Sequence, residues 1–497
     1  MIPSKQEKEN LPVGWVWAPL GDIISPSKER LDPQTQGVPF VGLEHIEANT
    51  GRNIGHADSS SVRSTKTRFS AGDVLYGRLR PYLNKVCVPG FSGICSTDIL
   101  VFRRSRSLDH RYLARFLLTS DFVRFASQNM SGVQHPRVSF QSIAKYRIPV
   151  APLSEQHRIA DMVEKLFTKM DFGFESLKKT KAQLKRYRQS LLKAAFEGKI
   201  TEGWRKKHVG EVESASSLLI RLRESSTPHS GFEQSRESAL RTAELFNLPD
   251  GWTWTELSPL LSEARYGTSA KCSSAVLGVP VLRIPNVRRG NIDFSDLKYA
   301  QINDNALEKL SLRNGDLLVI RTNGSRDLVG RSAVTKSMNG KFAFASYLIR
   351  LRPLISQTLP VYVNYYFQTD SARAFLMTRA RTTAGQFNVN VAALGSLPLP
   401  LASLQEQALI VEKLDEMESS LDRVQTALAN ELGRGENLRQ SILSVAFGGG
   451  LVPQDPGDEP AEKLVERIKI EGFGQGVTAR QRKEKKEPIV DEKARLV

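Results

Sequence analysis

The chain contains 497 residues, 40% hydrophobic and 25% charged, and its 70 Lys and Arg against 53 Asp and Glu give a formal charge of +17. At roughly 100 to 200 residues per domain this supports two to four cores, which excludes a minimal scaffold and chain-wide disorder, and the surplus charge points to a polyanionic partner. Three cysteines, Cys87, Cys95 and Cys272, none at zinc-ligand spacing, exclude a disulfide framework and a zinc fold.

The opening residues, MIPSKQEKENLP, hold no apolar stretch of signal-peptide length, and no run approaches the ~18 to 20 apolar residues of a membrane span. The expectation is a cytoplasmic protein with no membrane partner. Next comes Leu11-Pro-Val-Gly-Trp15-Val-Trp17-Ala-Pro-Leu20, which returns 237 residues later as Leu248-Pro-Asp-Gly-Trp252-Thr-Trp254-Thr-Glu-Leu257. Internal repetition of this kind decides the architecture before any local assignment. Gly72-Asp73 matches Gly315-Asp316 at an offset of 243, Tyr112 matches Tyr362 at 250, and from Val138 and Val389 the offset holds at 251 as far as Ile200 and Leu451. Insertions therefore sit in the front of each repeat, and the rear is locked in length.

The fronts, residues 1–150 and 248–402, read as mixed α/β domains. Short β-like runs such as Val74-Leu-Tyr-Gly-Arg78 and Leu317-Leu-Val-Ile-Arg321 are broken by Gly, Pro and Asn, and a helical stretch is expected near Asp109 to Ala126. Each front ends in a proline-bearing extended segment, Ile148-Pro149-Val150-Ala151-Pro152 and Leu397-Pro398-Leu399-Pro400, which cannot continue a helix.

The rears, residues 151–200 and 403–450, read as long helices, with Ser154 as N-cap of the first and Gly198 and Gly448 to Gly450 as terminators. In the first, Ile159, Val163, Leu166, Met170, Gly173, Leu177, Thr180, Leu184, Tyr187, Leu191 and Ala194 alternate steps of four and three. The shifted set is Ile410, Leu414, Met417, Leu421, Val424, Leu428, Glu431, Gly435, Leu438, Ile442 and Val445. That 3.5-residue period predicts a left-handed coiled coil, with Gly173 and Gly435 on its seam. About forty residues at ~1.5 Å each make a rod of about 60 Å. Neither rod can bury its stripe alone, so the economical arrangement is an antiparallel intramolecular pair with pseudo-two-fold symmetry and one domain at each end. A parallel or an intermolecular pair is also compatible with the sequence. Residues 201–247 read as a polar linker with some helix around Leu218 to Leu222, and 451–497 as a basic, mobile tail.

Catalytic signatures are absent: no phosphate-binding GxxxxGK[ST] loop, no [DN]PP[YFW] tetrapeptide of an amino-methyltransferase, no HExxH pair. Neither a metal nor a cofactor is expected in this chain. Residues able to read nucleic acid recur instead at matched places. Arg63, Lys66 and Arg68 precede Gly72, and Arg78, Arg80, Tyr82 and Lys85 follow it; Arg283, Asn286 and Arg288 precede the matching strand, and Arg321, Asn323, Ser325 and Arg326 follow it. A later pair of loops carries Gln134 and Arg137, and Arg381, Gln386 and Asn388. Arg and Lys neutralise phosphates or read guanine, and Asn and Gln match the adenine edge. The Gly-Asp turns at Asp73 and Asp316 read as structural.

Taken together, the doubled GWxWxxL openings, the segments Gly72 to Lys85 and Gly315 to Ser325, and the Glu-Gln helices ending in Ser190-Leu-Leu-Lys-Ala-Ala-Phe-Glu-Gly198 and Ser441-Ile-Leu-Ser-Val-Ala-Phe-Gly-Gly449 resemble the specificity subunits of type I restriction-modification systems. The resemblance spans about residues 11 to 200 and 248 to 451, leaving open the roles of the linker and the tail. It implies two target recognition domains separated by two antiparallel spacer helices, and recognition of a bipartite duplex DNA site. It also implies two modification subunits that methylate adenine at N6 with S-adenosylmethionine, and restriction (motor and nuclease) subunits that use ATP and magnesium. The chain itself is then expected to be non-catalytic. Two rival readings are a stand-alone coiled-coil DNA-binding protein and a self-sufficient DNA methyltransferase or nuclease with a degenerate site.

Overall fold

The computed structural model describes residues 11–31, 37–61, 64–225, 239–241, 245–275, 277–288, 290–338, 340–354, 358–383 and 385–470. The chain divides into two compact units, one formed by Met1–Leu177 with Ala429–Val497 and the other by Lys178–Leu428. Each unit contains one α/β head and portions of both long helices, Leu153–Phe196 and Leu404–Phe447.

In the first unit the opening strand Val16–Pro19 pairs antiparallel with Arg147–Val150, setting Trp17 opposite Pro149. A two-stranded pair tolerates this proline because its missing N–H faces no third strand. The head proper stacks a five-stranded sheet, in the order Arg30–Leu31, Lys66–Phe69, Gly93–Cys95, Pro39–Val41, Ala57–Asp58, and a three-stranded sheet built on Val74–Gly77. Cys87 and Cys95 lie fully buried, and desolvation pushes both thiols up to about 12, so they are apolar core groups. The Gly-Asp turn is structural: Gly72 takes φ +87°, and the buried Asp73 carboxylate accepts from the backbone N–H of Ser70 and Arg104 at 2.7 and 3.0 Å. The expected helical stretch is two helices, His110–Leu117 and Ser120–Gln128.

The second unit repeats the scheme. Thr253–Glu256 pairs with Pro398–Leu401, placing Trp254 opposite Pro400, and Leu317–Ile320 lies in a four-stranded sheet. Asp316 takes the part of Asp73, accepting Arg313 N–H at 2.8 Å and the Arg352 guanidinium at 2.7 and 2.8 Å.

A shared set of pins ties each head to its helix. Trp15 Nε1 donates to Glu155 at 2.9 Å and Trp252 Nε1 to Glu406 at 2.7 Å. The Tyr112 hydroxyl donates to Pro149 O and the Tyr362 hydroxyl to Pro400 O, at 2.8 and 2.6 Å. The Gln156 and Gln407 amide oxygens accept from backbone N–H groups of Asp109 and Leu359, both at 3.0 Å. The repeated tryptophan and Glu-Gln motifs are thus two halves of one joint.

Each unit by itself shows the long helices running antiparallel. In the first, Arg439 pairs with Asp171 while Phe447 meets Tyr112 and Phe116 edge-on. In the second, Arg188 pairs with Glu418 at 2.6 Å, and Lys413 Nζ donates to Ile200 O at 2.7 Å. Ile159, Val163, Ile410, Leu414 and Leu421 are buried, and Leu166, Met170, Leu177, Leu184, Leu191, Met417, Leu428 and Ile442 are partly buried.

The heptad requires correction toward the C-terminal end of each helix. Tyr187 is 55% exposed and Leu438 52%, whereas Arg188 and Arg439 are each 4% exposed. The seam has moved one residue along, because a guanidinium on a long apolar stem packs well when its charge is met: Arg439 lies 4.9 and 5.1 Å from the ring centroids of Phe167 and Phe174. Phe174, not Gly173, takes the seam opposite Gly435, where a Cβ would fall 2.4 Å from the Phe174 ring. The first helix starts at Leu153, so Ser154 lies in its first turn; in the second, Ser403 Oγ accepts Glu406 N–H at 3.2 Å.

The mobile-tail expectation is also overturned for residues 451–470. Val452, Ala461, Leu464, Val465 and Ile468 are buried in the core of the first unit, the last four at helical spacing within a helix over 461–470. Ala461 N–H donates to Gly14 O at 2.8 Å, as Ala215 N–H, at the start of the linker helix Ala215–Ser225, donates to Gly251 O at 3.0 Å. Tail and linker are therefore matching straps over the two tryptophan motifs. The remainder of the expected tail, 471–497, lies outside the described residues.

Candidate nucleic-acid interface

Val74–Gly77 is buried along its whole length, and the chain then emerges. Arg78 O accepts Val138 N–H at 3.0 Å, Leu79 bridges Arg137, and Arg80 N–H donates to Pro136 O at 2.8 Å. The loop after the strand is thereby zipped to a hairpin in which Met130–Ser131 pairs with Arg137–Val138. Arg137 grips Asp98 through Nε at 2.6 Å and Nη2 at 3.3 Å. Arg80 is held at φ +49°, a left-handed conformation costing a non-glycine residue about 1 to 2 kcal/mol. That cost falls at a candidate site and not in the core.

The second head repeats this geometry with other residues. Leu317–Ile320 is buried, and Arg321 O accepts Val389 N–H at 2.9 Å, the counterpart of the Arg78 to Val138 bond. Thr322–Asn323 extends the pairing with Gln386–Asn388, which pairs in turn with Arg381–Thr383. Arg321 donates to Asn388 Oδ1 from Nε at 3.3 Å and Nη2 at 3.2 Å, and its guanidinium lies 4.6 Å from the Tyr266 ring centroid. Arg326 lies 5.0 Å from the Phe387 ring centroid. Among the described residues Arg80, Arg326 and Arg381 have no carboxylate partner, which leaves their charge for a phosphate or a base edge.

The structure thus gathers Arg78, Arg80, Tyr82, Gln134 and Arg137 around one strand-loop-hairpin corner, and Arg321, Asn323, Ser325, Arg326, Arg381, Gln386 and Asn388 around its counterpart. Other residues read from the sequence lie elsewhere. Lys66 and Arg68 are on a strand of the five-stranded sheet, where Arg68 pairs with Glu29 at 3.1 Å. Lys85 Nζ donates to Leu43 O at 2.5 Å. Arg283 and Arg288 are paired with Asp296 and Asp293 at 2.8 and 3.1 Å. Asn286 is a correction: it is 1% exposed, with Nδ2 donating to Asp293 O and Asp296 O and Oδ1 accepting Arg283 N–H, so it braces its own turn. Arg63 lies outside the described residues. Sequence reading missed Asp98, Tyr266 and Phe387, which orient arginines at the two corners and stand in no repeated motif.

Residues 12–186 match the family described as the type I restriction modification DNA specificity domain. Over nearly its full length the chain is similar to the EcoKI specificity subunit of Escherichia coli (strain K12), 27% identical over 94% of this chain and 97% of that protein. It is 26% identical to the StySPI specificity subunit of Salmonella potsdam, over 93% and 96%. The chain is thus similar, over most of its length, to the specificity subunits of type I restriction-modification systems. A solved structure described as the structural basis underlying complex assembly and conformational transition of the type I R-M system shares its fold, with a TM-score of 0.59 at 23% identity, over 89% of this chain and 99% of that one. Specificity subunits are non-catalytic members of their complexes. Among the described residues of this one, no group of three or more His, Cys, Asp or Glu could hold a metal, and no helix is long and apolar enough to cross a membrane.

Proposed function

We propose that this specificity subunit reads an asymmetric bipartite duplex DNA site in the cytoplasm. In this reading it scaffolds two adenine-N6 modification subunits, which supply S-adenosylmethionine, and restriction subunits, which supply ATP and magnesium chemistry. The observation that carries the reading is the pair of equivalent corners marked by the Arg78 to Val138 and Arg321 to Val389 bonds. One framework presents Arg80, Tyr82 and Gln134 in the first head and Asn323, Arg326 and Gln386 in the second. A two-stranded ribbon with an adjoining loop fits a major groove, whose base edges Arg, Asn and Gln can distinguish. Unlike residues on equivalent frames imply unlike half-sites, and the length-locked helices imply a constant gap between them.

The test is to incubate DNA with the chain, its modification subunits and S-adenosylmethionine, then map methylated adenines by sequencing. One asymmetric bipartite site, methylated only when the modification subunits are present, is expected. Methyl transfer by the chain alone, or methylation without sequence preference, would overturn the proposal.

A further inference from the structure

Beyond the arginines and amides, the first corner presents one group that electrostatics does not account for. Val133 is 100% exposed at the tip of the hairpin that joins Met130–Ser131 to Arg137–Val138. Loop tips of this kind favour Gly, Asn, Asp, Ser and Pro, and a β-branched apolar residue has no conformational reason to be there.

The tip is also held firmly. Gly132 makes the turn at φ +101°, Arg137 Nη1 donates to His135 O at 3.2 Å, and Pro136 O accepts from Arg80. Arg137 is itself anchored on Asp98. A side chain limited to few rotamers, on a hairpin fixed at both ends, loses little entropy when it meets a partner. Its immediate neighbour Gln134 is likewise exposed. An amide beside an isopropyl group matches an adenine edge next to a thymine methyl, the one apolar group that the major groove displays.

Resting on the DNA-reading proposal above, we infer that Val133 is a specificity-determining residue that recognises the C5-methyl of a thymine in the half-site read by the first head. At the constant offset of 251 the second head has Ala384 in place of Val133. The preference that Val133 supplies therefore belongs to the half-site read by the first head.

The experiment uses the full chain in complex with its modification subunits and the duplex that the complex methylates. Two further duplexes carry deoxyuridine in place of thymidine, one in each half-site. Burial of one methyl-sized group predicts that the unaltered complex binds the thymine duplex about three to five times more tightly than the deoxyuridine duplex altered in the half-site that Val133 reads. Val133→Ala should bring the discriminating ratio close to one, and Val133→Ile should keep it. The inference is overturned if the unaltered complex ignores the replacement in both half-sites, or if Val133→Ala weakens thymine and deoxyuridine duplexes alike. If the unaltered complex fails to prefer its methylated duplex over a scrambled one, the DNA-reading proposal itself has failed, a separable result.

Discussion

Glu155 and Glu406 occupy the same place in the two joints, yet their surroundings differ. Glu406 accepts from Trp252, Thr201 and Arg205, the last in an ion pair at 2.9 Å. Glu155 accepts from Trp15 through one oxygen, and its other oxygen is buried without a hydrogen-bond partner. Burial pushes the Glu155 carboxyl above its ordinary value, outweighing the Trp15 bond and nearby Arg158. A carboxyl raised in the folded state disfavours folding when ionised, and that penalty is relieved as pH falls through the folded pKa toward the ordinary value near 4.5. Glu155→Gln should therefore be neutral or raise the melting temperature at pH 7, with the gain shrinking toward pH 4.5 in a thermal melt series. Glu406→Gln should cost about 1 to 3 kcal/mol, because it removes the charge that meets the half-buried Arg205 guanidinium. The two glutamates were legible as a repeated motif, but their different environments were not, since Thr201 and Arg205 lie outside the aligned repeat units.

The long helices show how far a periodic pattern can be trusted. Ile159, Val163, Ile410 and Leu414 sit where a 3.5-residue repeat puts them, and all are buried. The pattern slips by one at Arg188 and Arg439 because a hydropathy-based reading passes over arginine, although its stem and planar head can fill a seam, as those of Arg439 do between Phe167 and Phe174. Arg439→Ala should remove packing against Phe167 and Phe174 and leave Asp171 with only the longer pairing to Arg52 at 3.8 Å, lowering stability by about 2 to 4 kcal/mol in denaturant unfolding. Replacing Arg439 and Asp171 together by leucine should recover much of that loss, since the desolvation penalty disappears with the pair; a double variant no better than Arg439→Ala would refute the charge-meeting argument. The strap over 461–470 was missed for a related reason. Its apolar residues follow a Pro- and Asp-rich stretch and precede a run of charge, so composition averaged across the segment resembled a solvated tail.

At the scale of the whole molecule, the duplication places two equivalent strand-loop-hairpin corners on one chain, the reading heads of the proposed function. Replacing residues 13–148 with the corresponding head of a relative of different specificity should change one half-site and leave the other intact, as read by methylation mapping; a change in both would show that the heads do not read separately. The division into repeats was legible because tryptophan is rare and the helices keep a constant offset. The division into folded units was not, because the units cut both helices and combine chain segments far apart in sequence. This has a consequence during synthesis. The unit Lys178–Leu428 is one continuous stretch and can complete its core as soon as it leaves the ribosome, whereas the other waits for Ala429 onward although most of it was made first. At ordinary elongation rates of about 5 to 20 residues per second, that wait is roughly 15 to 60 s, during which the Trp15 motif lacks its strap and the stripe of Ile159 and Val163 lacks the second helix. The head made first is thus the later of the two to close, and while it waits it is open to aggregation or proteolysis.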